Sequence, residues 1–213
     1  MTKEKAAKII KTLKRRYGEI DTALSYKNLF QLTIAVVLSA QTTDKQVNSV
    51  TPALFKQYKD FKSLARAGIP EIEKIIKSVG LYKTKARNIV GLSRDILKKY
   101  NGKLPRTREE LMELPGIGRK SANVILSFGL KINAFPVDTH IKRIAFRIGF
   151  TPSKDPFEAE KSLTGHIPEK EWGTAHLLLI NHGRKICTAR NPRCAECPLN
   201  KLCGKNGVQD SNS

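Results

Sequence analysis

No run of apolar residues in this 213-residue sequence is long enough to span a bilayer. An apolar secretory signal is absent as well, because the N-terminus begins with charged residues that include Lys3, Lys5 and Lys8. These absences argue against a membrane protein and against a secreted protein. We therefore expect a cytoplasmic protein without a membrane partner, in a compartment that keeps thiols reduced.

Acidic residues are scarce: the chain has 19 of them against 39 lysines and arginines, and its formal net charge is +20. The positive charge is spread along the whole length. Such a field attracts polyanions and speeds association with them. Because 40% of the residues are hydrophobic, the chain can also bury a sizeable core, which excludes a disordered basic tail. We infer a folded protein that binds nucleic acid.

The sequence shows no convincing pair of strands joined by hairpin residues, and nearly every segment has helical periodicity. Capping residues and glycines separate the segments. The predicted helices cover residues 6–17, 28–38, 43–58, 70–80, 82–100, 107–112, 119–130, 139–148 and 169–185, with another beginning at Asp155. Thr107 and Glu110 form a capping-box pattern. We predict an all-α protein with two helical domains, residues 22–132 and residues 1–21 plus 133–213.

Cysteine is absent before position 187, and the four that follow are Cys187, Cys194, Cys197 and Cys203, with the spacing C-x6-C-x2-C-x5-C. In a reducing compartment, metal binding is a better use of clustered cysteines than disulfide bonding. Four thiolates can converge on one soft metal centre and thereby order a loop-rich C-terminus. The centre could therefore be either an iron–sulfur cluster or a zinc ion, although zinc sites more usually show two close cysteine pairs.

A glycine-rich turn joins two of the predicted helices, and its sequence runs Leu114-Pro115-Gly116-Ile117-Gly118-Arg119-Lys120. Pro115 ends the preceding helix, while Gly116 and Gly118 are expected to adopt backbone angles that other residues avoid. The free N–H groups at the start of the next helix suit a phosphate. The pattern predicts a helix-hairpin-helix element, which grips DNA phosphates without reading bases. The alternative is an ordinary tight turn between helices.

The segment Val137-Asp138-Thr139-His140 begins the next predicted helix, where Asp138 alone is most simply an N-cap. Together with the hairpin and the cysteine spacing, however, these features in this order resemble the endonuclease III family of DNA glycosylases. The resemblance covers nearly the whole chain, from Leu-Ser-Ala-Gln-Thr-Thr-Asp at residues 38–44 to Cys203. It implies two helical domains with a DNA cleft between them. It also implies a base-excision repair enzyme, a monomer that acts on double-stranded DNA.

The resemblance further implies what the site residues do. Lys120 matches the catalytic lysine of the family and Asp138 its catalytic aspartate, while the four cysteines match the ligands of a [4Fe–4S] cluster. The implied substrates are oxidised or ring-fragmented pyrimidines and abasic sites. Lys120 must lose its proton before it attacks the sugar C1′, and Asp138 is expected to accept that proton and to stabilise positive charge on the sugar. One lysine would then support both glycosylase and AP lyase activity through a Schiff base and β-elimination.

Further residues are expected to contact DNA. Gln41 and Leu81 match family positions that enter the stack when the damaged nucleotide is flipped out, although Gln41 is also compatible with a surface residue and Leu81 with a core contact. His140 is expected at the mouth of the pocket, or else on a solvent-facing turn. The remaining predicted contacts come from the hairpin and the cysteine loop: Leu114, Gly116, Gly118, Arg119, Arg190 and Arg193.

Three other functions stay open at this stage. A monofunctional adenine or thymine mismatch glycosylase of the same superfamily shares much of the pattern but lacks a lysine at the position of Lys120. In a non-catalytic DNA-binding module, Lys120 would contact a phosphate and Asp138 would only cap a helix. A redox protein would use the cysteine centre but would not need the hairpin. The other histidines lack the spacing of paired ligands and are predicted to be surface or packing residues: His166, His176 and His182.

Overall fold

The computed structural model describes residues 1–208, and residues 209–213 of the second predicted domain lie outside the described residues. Within the described range no strand occurs, and the predicted all-α class is confirmed. The chain divides into two compact units. One, the hairpin unit, spans Thr22–Ile132, and the other, the terminal unit, combines Met1–Asp21 with the residues from Asn133 onward. None of the described helices is both long and apolar enough to cross a membrane.

The helices follow one another with short connections. In chain order they are α1 (Lys3–Tyr17), α2 (Leu29–Leu38), α3 (Asp44–Gln57), α4 (Phe61–Ala65), α5 (Ile69–Ile75), α6 (Tyr82–Tyr100), α7 (Arg108–Met112), α8 (Arg119–Val124), α9 (Thr139–Ile148), α10 (Pro156–His166) and α11 (Trp172–Lys185). A π-helical segment, Ile125–Leu130, continues α8, and a 3-10 turn, Glu169–Glu171, precedes α11.

In the hairpin unit, α2 is the central helix and packs against α3, α6 and α8. It begins after Asn28, whose side-chain oxygen accepts a hydrogen bond from the Gln31 amide at 2.9 Å. Every residue from Leu32 to Leu38 is buried, which is the pattern of a helix enclosed on all sides. The helix ends at the turn that carries Gln41.

In the terminal unit, α1 packs against α11, and α9 packs against both α10 and α11. Apolar side chains from these helices form one buried core, which includes Ile9, Leu13, Ile144 and Leu178. Three of the four cysteines lie partly buried against this core: Cys187, Cys197 and Cys203. The first helix of the chain therefore helps to support the cysteine loop near its end.

Several helix ends differ from the predictions. Helix α5 ends at Ile75 and not near Gly80, because turns occupy the residues that follow. The short helix α4 was not predicted, and it begins with a reciprocal capping box between Asp60 and Ser63. At the predicted box only one half is present: the Thr107 hydroxyl accepts from the Glu110 amide at 3.3 Å and donates to the Glu110 carboxylate at 2.6 Å.

The helix predicted for residues 119–130 is α-helical only to Val124 and then becomes π-helical. The π-helical segment lies close to α2. A Cβ atom on Gly129 would lie 2.6 Å from Leu29 Cδ1 and 2.9 Å from Leu32 Cδ2, so glycine is what permits this approach. The helix that begins with Arg119 is thus held firmly against the central helix of its unit.

Candidate functional site

The predicted hairpin turn lies between α7 and α8 and is anchored from within by two buried side chains, Leu114 and Ile117. The Ile117 amide donates a hydrogen bond to the Leu114 carbonyl at 3.1 Å. Because Leu114 is only 2% exposed, a contact with DNA at this position has to come from its backbone and not from its side chain.

The two glycines of the turn differ in what they contribute. Gly116 has a φ of +81°, and a Cβ atom there would lie 2.8 Å from Asn88 Nδ2 and 3.0 Å from Val37 Cγ1. Backbone strain and crowding therefore both require glycine at this position. The expectation for Gly118 is wrong, because its φ of −96° is open to any residue. Among the described residues, nothing lies within 4 Å of a Cβ atom built on Gly118, which leaves this surface open to a phosphate.

Gly118 is the N-cap of α8, so Arg119 and Lys120 occupy the first turn of that helix. Both side chains are partly buried. The first N–H groups of a helix have no partner within the helix, and Gly118 supplies no side-chain cap. This end of α8 therefore offers amide donors and two basic side chains to an anion.

Asp138, in the terminal unit, is the N-cap of α9, and its Oδ1 accepts a hydrogen bond from the Ile141 amide at 2.8 Å. The backbone just before it is held by buried His176, whose Nδ1 lies 2.9 Å from the Pro136 carbonyl oxygen. The structure thus shows Asp138 acting as a helix cap. A cap of this kind engages one carboxylate oxygen, so it is compatible with a chemical role for the other.

His140 is partly buried in the first turn of α9, and its Nδ1 lies 3.2 Å from Arg143 Nη2. Desolvation lowers the pKa of His140, and this effect exceeds the opposing influence of the Asp138 carboxylate. The imidazole is therefore neutral near pH 7. A neutral ring beside Asp138 can accept or donate a hydrogen bond without adding charge.

Gln41 and Leu81 share an unusual backbone conformation, since both are left-handed, with φ of 53° and 57°. Leu81 is 60% exposed, more than any other large hydrophobic residue described, so the core interpretation of Leu81 is wrong. Gln41 is exposed as well. The two turns approach closely, because a Cβ atom on Gly80 would lie 3.6 Å from the Gln41 carbonyl oxygen. A polar amide and an apolar side chain thus occupy neighbouring turns at the surface of the hairpin unit.

The four cysteines line one cavity together with Arg147 and His182. Three of the sulfur atoms face nitrogen atoms. Cys187 Sγ lies 3.5 Å from the donor Arg147 Nη1, Cys203 Sγ lies 3.3 Å from the donor amide of Lys205, and Cys197 Sγ lies 3.6 Å from His182 Nε2. Such donors stabilise anionic thiolates and tune the centre that these thiolates hold. The residues around the cavity therefore fit a thiolate-bound metal centre.

Within residues 1–208, no three His, Cys, Asp or Glu side chains lie close enough together to hold a single metal ion. A four-iron cluster does not need its thiolates that close, because iron and sulfide ions separate them. Burial raises the pKa of the Cys197 thiol to about 11 and also raises the pKa of Cys203. Thiols with raised pKa values would have to lose their protons to serve as ligands, so assembly of a thiolate-bound centre here would release protons.

His182 was predicted to be a surface or packing residue, but the structure places it beside a cysteine sulfur. The residue is 1% exposed, and desolvation lowers the pKa of His182 to about 4, so the imidazole is neutral. The Tyr17 hydroxyl lies 2.9 Å from His182 Nδ1. When that hydroxyl donates, the proton resides on Nε2, which faces Cys197 Sγ. The ring thereby connects α1 with the cysteine cavity.

Two arginines of α9, absent from the predicted set, hold the backbone of the cysteine loop. Arg143 donates to the carbonyl oxygens of Gly183 at 3.0 Å and Cys187 at 2.8 Å. Arg147 is 8% exposed and donates to the carbonyl oxygens of residues 188 and 189 at 2.6 and 2.8 Å. Their four-residue spacing on one helix is the signal that sequence reasoning could have used. One helix thus carries Asp138 at its start and anchors the cysteine loop farther along.

The two arginines of the cysteine loop that were predicted to contact DNA differ in their surroundings. Arg193 forms an ion pair with Glu196 at 3.2 Å and donates to the Lys185 carbonyl oxygen at 2.5 Å. Its guanidinium is therefore used to hold the loop itself. Arg190 is exposed and is the better placed of the two for a phosphate.

Comparisons with known proteins identify the class. Residues 34–169 match the family of HhH-GPD superfamily base excision DNA repair proteins, and residues 187–203 match the iron-sulfur binding domain of endonuclease III. Endonuclease III of Synechocystis sp. is 44% identical over 202 residues, which cover 94% of this chain and 92% of that protein. Endonuclease III of Bacillus subtilis is 45% identical over 195 residues, with 91% and 89% covered.

The same likeness holds in three dimensions. The solved structure of a trapped endonuclease III–DNA covalent intermediate, an estranged-adenine complex, superposes with a TM-score of 0.91 at 42% identity. The superposition covers 96% of this chain and 97% of that one. Fold and site together thus define a base-excision DNA repair protein of the helix-hairpin-helix superfamily.

Within that class, the chain belongs to the endonuclease III family. It is a DNA glycosylase with AP lyase activity, and its cofactor is a [4Fe–4S] cluster. The resemblance seen in the sequence is confirmed. The zinc, non-catalytic and redox alternatives are wrong.

The anchoring role of Arg147 can be tested through the stability of the cluster. In Arg147→Met the carbonyls of residues 188 and 189 lose their donors, so we expect iron to be released to a chelator about tenfold faster or more, as for other outer-shell changes. The decay of visible absorbance measures this release. Lys142→Met, on the same helix, is the control. Release from Arg147→Met at the wild-type rate would show that the loop does not depend on this arginine.

Proposed function

We propose that this protein removes oxidised or ring-fragmented pyrimidines from double-stranded DNA and then cleaves the strand, with Lys120 as the nucleophile. The observation that carries this assignment is the position of Lys120, partly buried in the first turn of α8 and directly after the hairpin turn. A phosphate bound at the amides of that turn would hold the sugar–phosphate backbone near the lysine. The family resemblance supports the substrate class and the lysine alike.

In the proposed reaction, the bond between the damaged base and C1′ breaks as the sugar gains oxocarbenium character, and the base leaves with the bonding electron pair and takes up a proton from solvent. The neutral amine of Lys120 then forms the new bond to C1′. Asp138 accepts the proton that the amine gives up and stabilises positive charge on the sugar. Opening of the sugar ring yields a Schiff base. Loss of a C2′ proton then expels the 3′ phosphate, which accounts for AP lyase activity with the same lysine.

A base inside a duplex is closed to attack, so the damaged nucleotide has to leave the stack. We assign the filling of the resulting gap to Gln41 and Leu81. The amide of Gln41 can hydrogen-bond to the base left without a partner, and Leu81 can insert apolar bulk between base pairs. Their exposure and their close approach in neighbouring turns support this assignment.

The cluster ligands in this proposal are the four cysteines: Cys187, Cys194, Cys197 and Cys203. The three nitrogen atoms that face their sulfur atoms support this assignment. The ordered loop would present Arg190 to DNA phosphates, and the protein would act as a monomer in the cytoplasm, associated with the nucleoid through DNA. Sedimentation with and without duplex DNA tests the monomeric state.

Single-turnover assays on a set of duplexes test the proposed function. Each duplex carries an oxidised pyrimidine, an abasic site, a mismatched adenine or a mismatched thymine. We expect strand cleavage at the first two and none at the mismatches. Excision of adenine or thymine that leaves the strand intact would instead favour a monofunctional mismatch glycosylase.

The hairpin turn offers a matched pair of glycine substitutions. In Gly116→Val a left-handed φ, which costs other residues roughly 1–2 kcal/mol, combines with crowding, so stability and DNA affinity should both fall. In Gly118→Val the backbone is unstrained and the space is open, so the melting temperature should stay unchanged. If a phosphate binds at this turn, Gly118→Val should still weaken binding several-fold, equally for all sequences. Affinity measured by fluorescence anisotropy on several duplexes checks this, and a sequence-dependent loss would contradict it.

A further inference from the structure

Lys85 is a buried basic residue that the proposed chemistry does not use. It lies in the first half of α6, and only 3% of its surface is exposed. Burial lowers the pKa of its ammonium group. A buried lysine is expensive unless its polar atoms are paired, so its partners indicate why it is there.

Two acceptors for the Lys85 ammonium group flank Gln41 in the sequence. Its Nζ donates to the Leu38 carbonyl oxygen at 2.8 Å and to Thr42 Oγ1 at 2.7 Å. Leu38 is the last residue of α2, where the final carbonyls have no partner within the helix and where a cation is favoured by the helix dipole. The two hydrogen bonds therefore fix the turn of Gln41 from both sides.

The same lysine is tied to the turn of Leu81. The Lys85 amide donates to the Leu81 carbonyl oxygen at 3.0 Å, so Leu81 lies one helical turn before it, at the N-cap of α6. Gln46, in the first turn of α3, donates from Nε2 to the Ser78 carbonyl oxygen and thus links the helix that follows Gln41 to the segment that precedes Leu81. Lys85 is accordingly the charged connection between the segments that carry Gln41 and Leu81.

Both of these residues need such support. A left-handed conformation costs a residue with a side chain roughly 1–2 kcal/mol, and Gln41 and Leu81 each adopt one while exposed to solvent. Loops that are ordered before binding spare the complex the entropy of ordering them afterwards. The ammonium group of Lys85 holds the turn of Gln41, and the backbone amide of the same residue holds the turn of Leu81. The two turns can therefore enter the DNA stack as a single rigid wedge.

We propose that Lys85 is a positioning residue, which holds the turns of Gln41 and Leu81 in the geometry that fills the gap left by the flipped nucleotide. This inference rests on the proposed function of those two residues. Its consequence is specific: loss of the Lys85 hydrogen bonds slows extrusion of the nucleotide but leaves the later chemistry at C1′ unchanged. If Lys85 served only the stability of the unit, its loss would affect extrusion and the chemistry at C1′ alike.

Stopped-flow fluorescence separates the two steps. The duplex carries one oxidised pyrimidine with 2-aminopurine beside it, a base whose emission rises when its neighbour leaves the stack. We expect Lys85→Met to slow this rise about tenfold or more, while the single-turnover rate of borohydride trapping from a preformed abasic site stays within about twofold of wild type. Lys98→Met, an exposed lysine on the same helix, should leave both rates unchanged.

Thr42→Val removes one of the two acceptors and keeps the other, so it should slow the rise by a smaller factor of about threefold. This variant decides the question if Lys85→Met does not fold.

A wild-type rise in folded Lys85→Met, or in Thr42→Val, would overturn the inference. Equal slowing of extrusion and trapping would also overturn it, since that result indicates a purely structural lysine. Absence of any rise with the wild-type protein would overturn the proposed function of Gln41 and Leu81, and the inference with it.

Discussion

Lys120→Met yields no covalent adduct when the protein is incubated with a duplex containing an oxidised pyrimidine and then reduced with borohydride. Methionine keeps most of the length of the side chain but has no amine to form the Schiff base. Loss of a covalent nucleophile typically lowers turnover by a factor of about a thousand or more, so base removal and strand cleavage should both fall at least that far. Gel electrophoresis of labelled DNA measures the adduct and the cleaved strand together.

The control for this result is Lys98→Met, which removes an exposed lysine from the same unit. Its adduct yield should equal that of the wild-type protein. The affinity of Lys120→Met for undamaged duplex should fall by less than about tenfold, because one phosphate contact is a small part of the electrostatic binding of so basic a protein. An adduct that forms at the wild-type rate in Lys120→Met would assign the chemistry to another amine.

The second large effect is expected at Asp138, where the cap and the chemistry can be separated. Asparagine caps a helix about as well as aspartate, so Asp138→Asn should keep the hydrogen bond to the Ile141 amide and the melting temperature. It cannot accept the proton of the amine or stabilise the sugar by charge. Loss of a general base and its charge lowers rates by about 10²–10⁴, and we expect single-turnover base removal to fall by that much.

Asp138→Ala is the matched comparison, because it removes both functions. Its turnover should fall as in Asp138→Asn, and its free energy of unfolding should also drop by about 1 kcal/mol through loss of the cap. Thermal unfolding followed by circular dichroism measures this difference. Turnover that is normal in Asp138→Asn but reduced in Asp138→Ala would show that the aspartate acts only as a helix cap.

The helical fold was largely predictable from the sequence. Local signals mark most of the helix ends, as at Asn28 and Asp155, whose side chains accept hydrogen bonds from the first amides of α2 and α10. Two predictions of secondary structure failed, one because a tertiary contact changed the helix and one because the element is very short. The π-helical segment forms where Gly129 meets α2, and α4 is too short to show periodicity.

The conformation of the hairpin turn was only half predictable. Its glycines look equivalent in sequence, yet only Gly116 is left-handed and crowded. The crowding comes from Asn88 and Val37, which belong to helices distant in sequence. A local pattern therefore identified the turn but not which glycine it requires.

Sequence reasoning missed the residues that support the site, because their partners lie far away along the chain. Lys85 is one basic residue among 39, and its acceptors are at positions 38 and 42. Arg147 and His182 likewise contact the cysteine loop through folding alone. Apart from the four-residue spacing of Arg143 and Arg147, no periodicity distinguishes these buried residues from solvated ones, so they become visible only once burial and distances are known.

The most direct test of the account is to identify the amino acid that becomes linked to DNA. The wild-type protein is trapped with borohydride on a duplex containing an oxidised pyrimidine, the DNA is digested, and the protein is sequenced by tandem mass spectrometry. We expect the reduced sugar remnant on Lys120 Nζ, with no tryptic cleavage after that residue. A remnant on the N-terminal amine or on any other lysine, with Lys120 unmodified, would contradict the account.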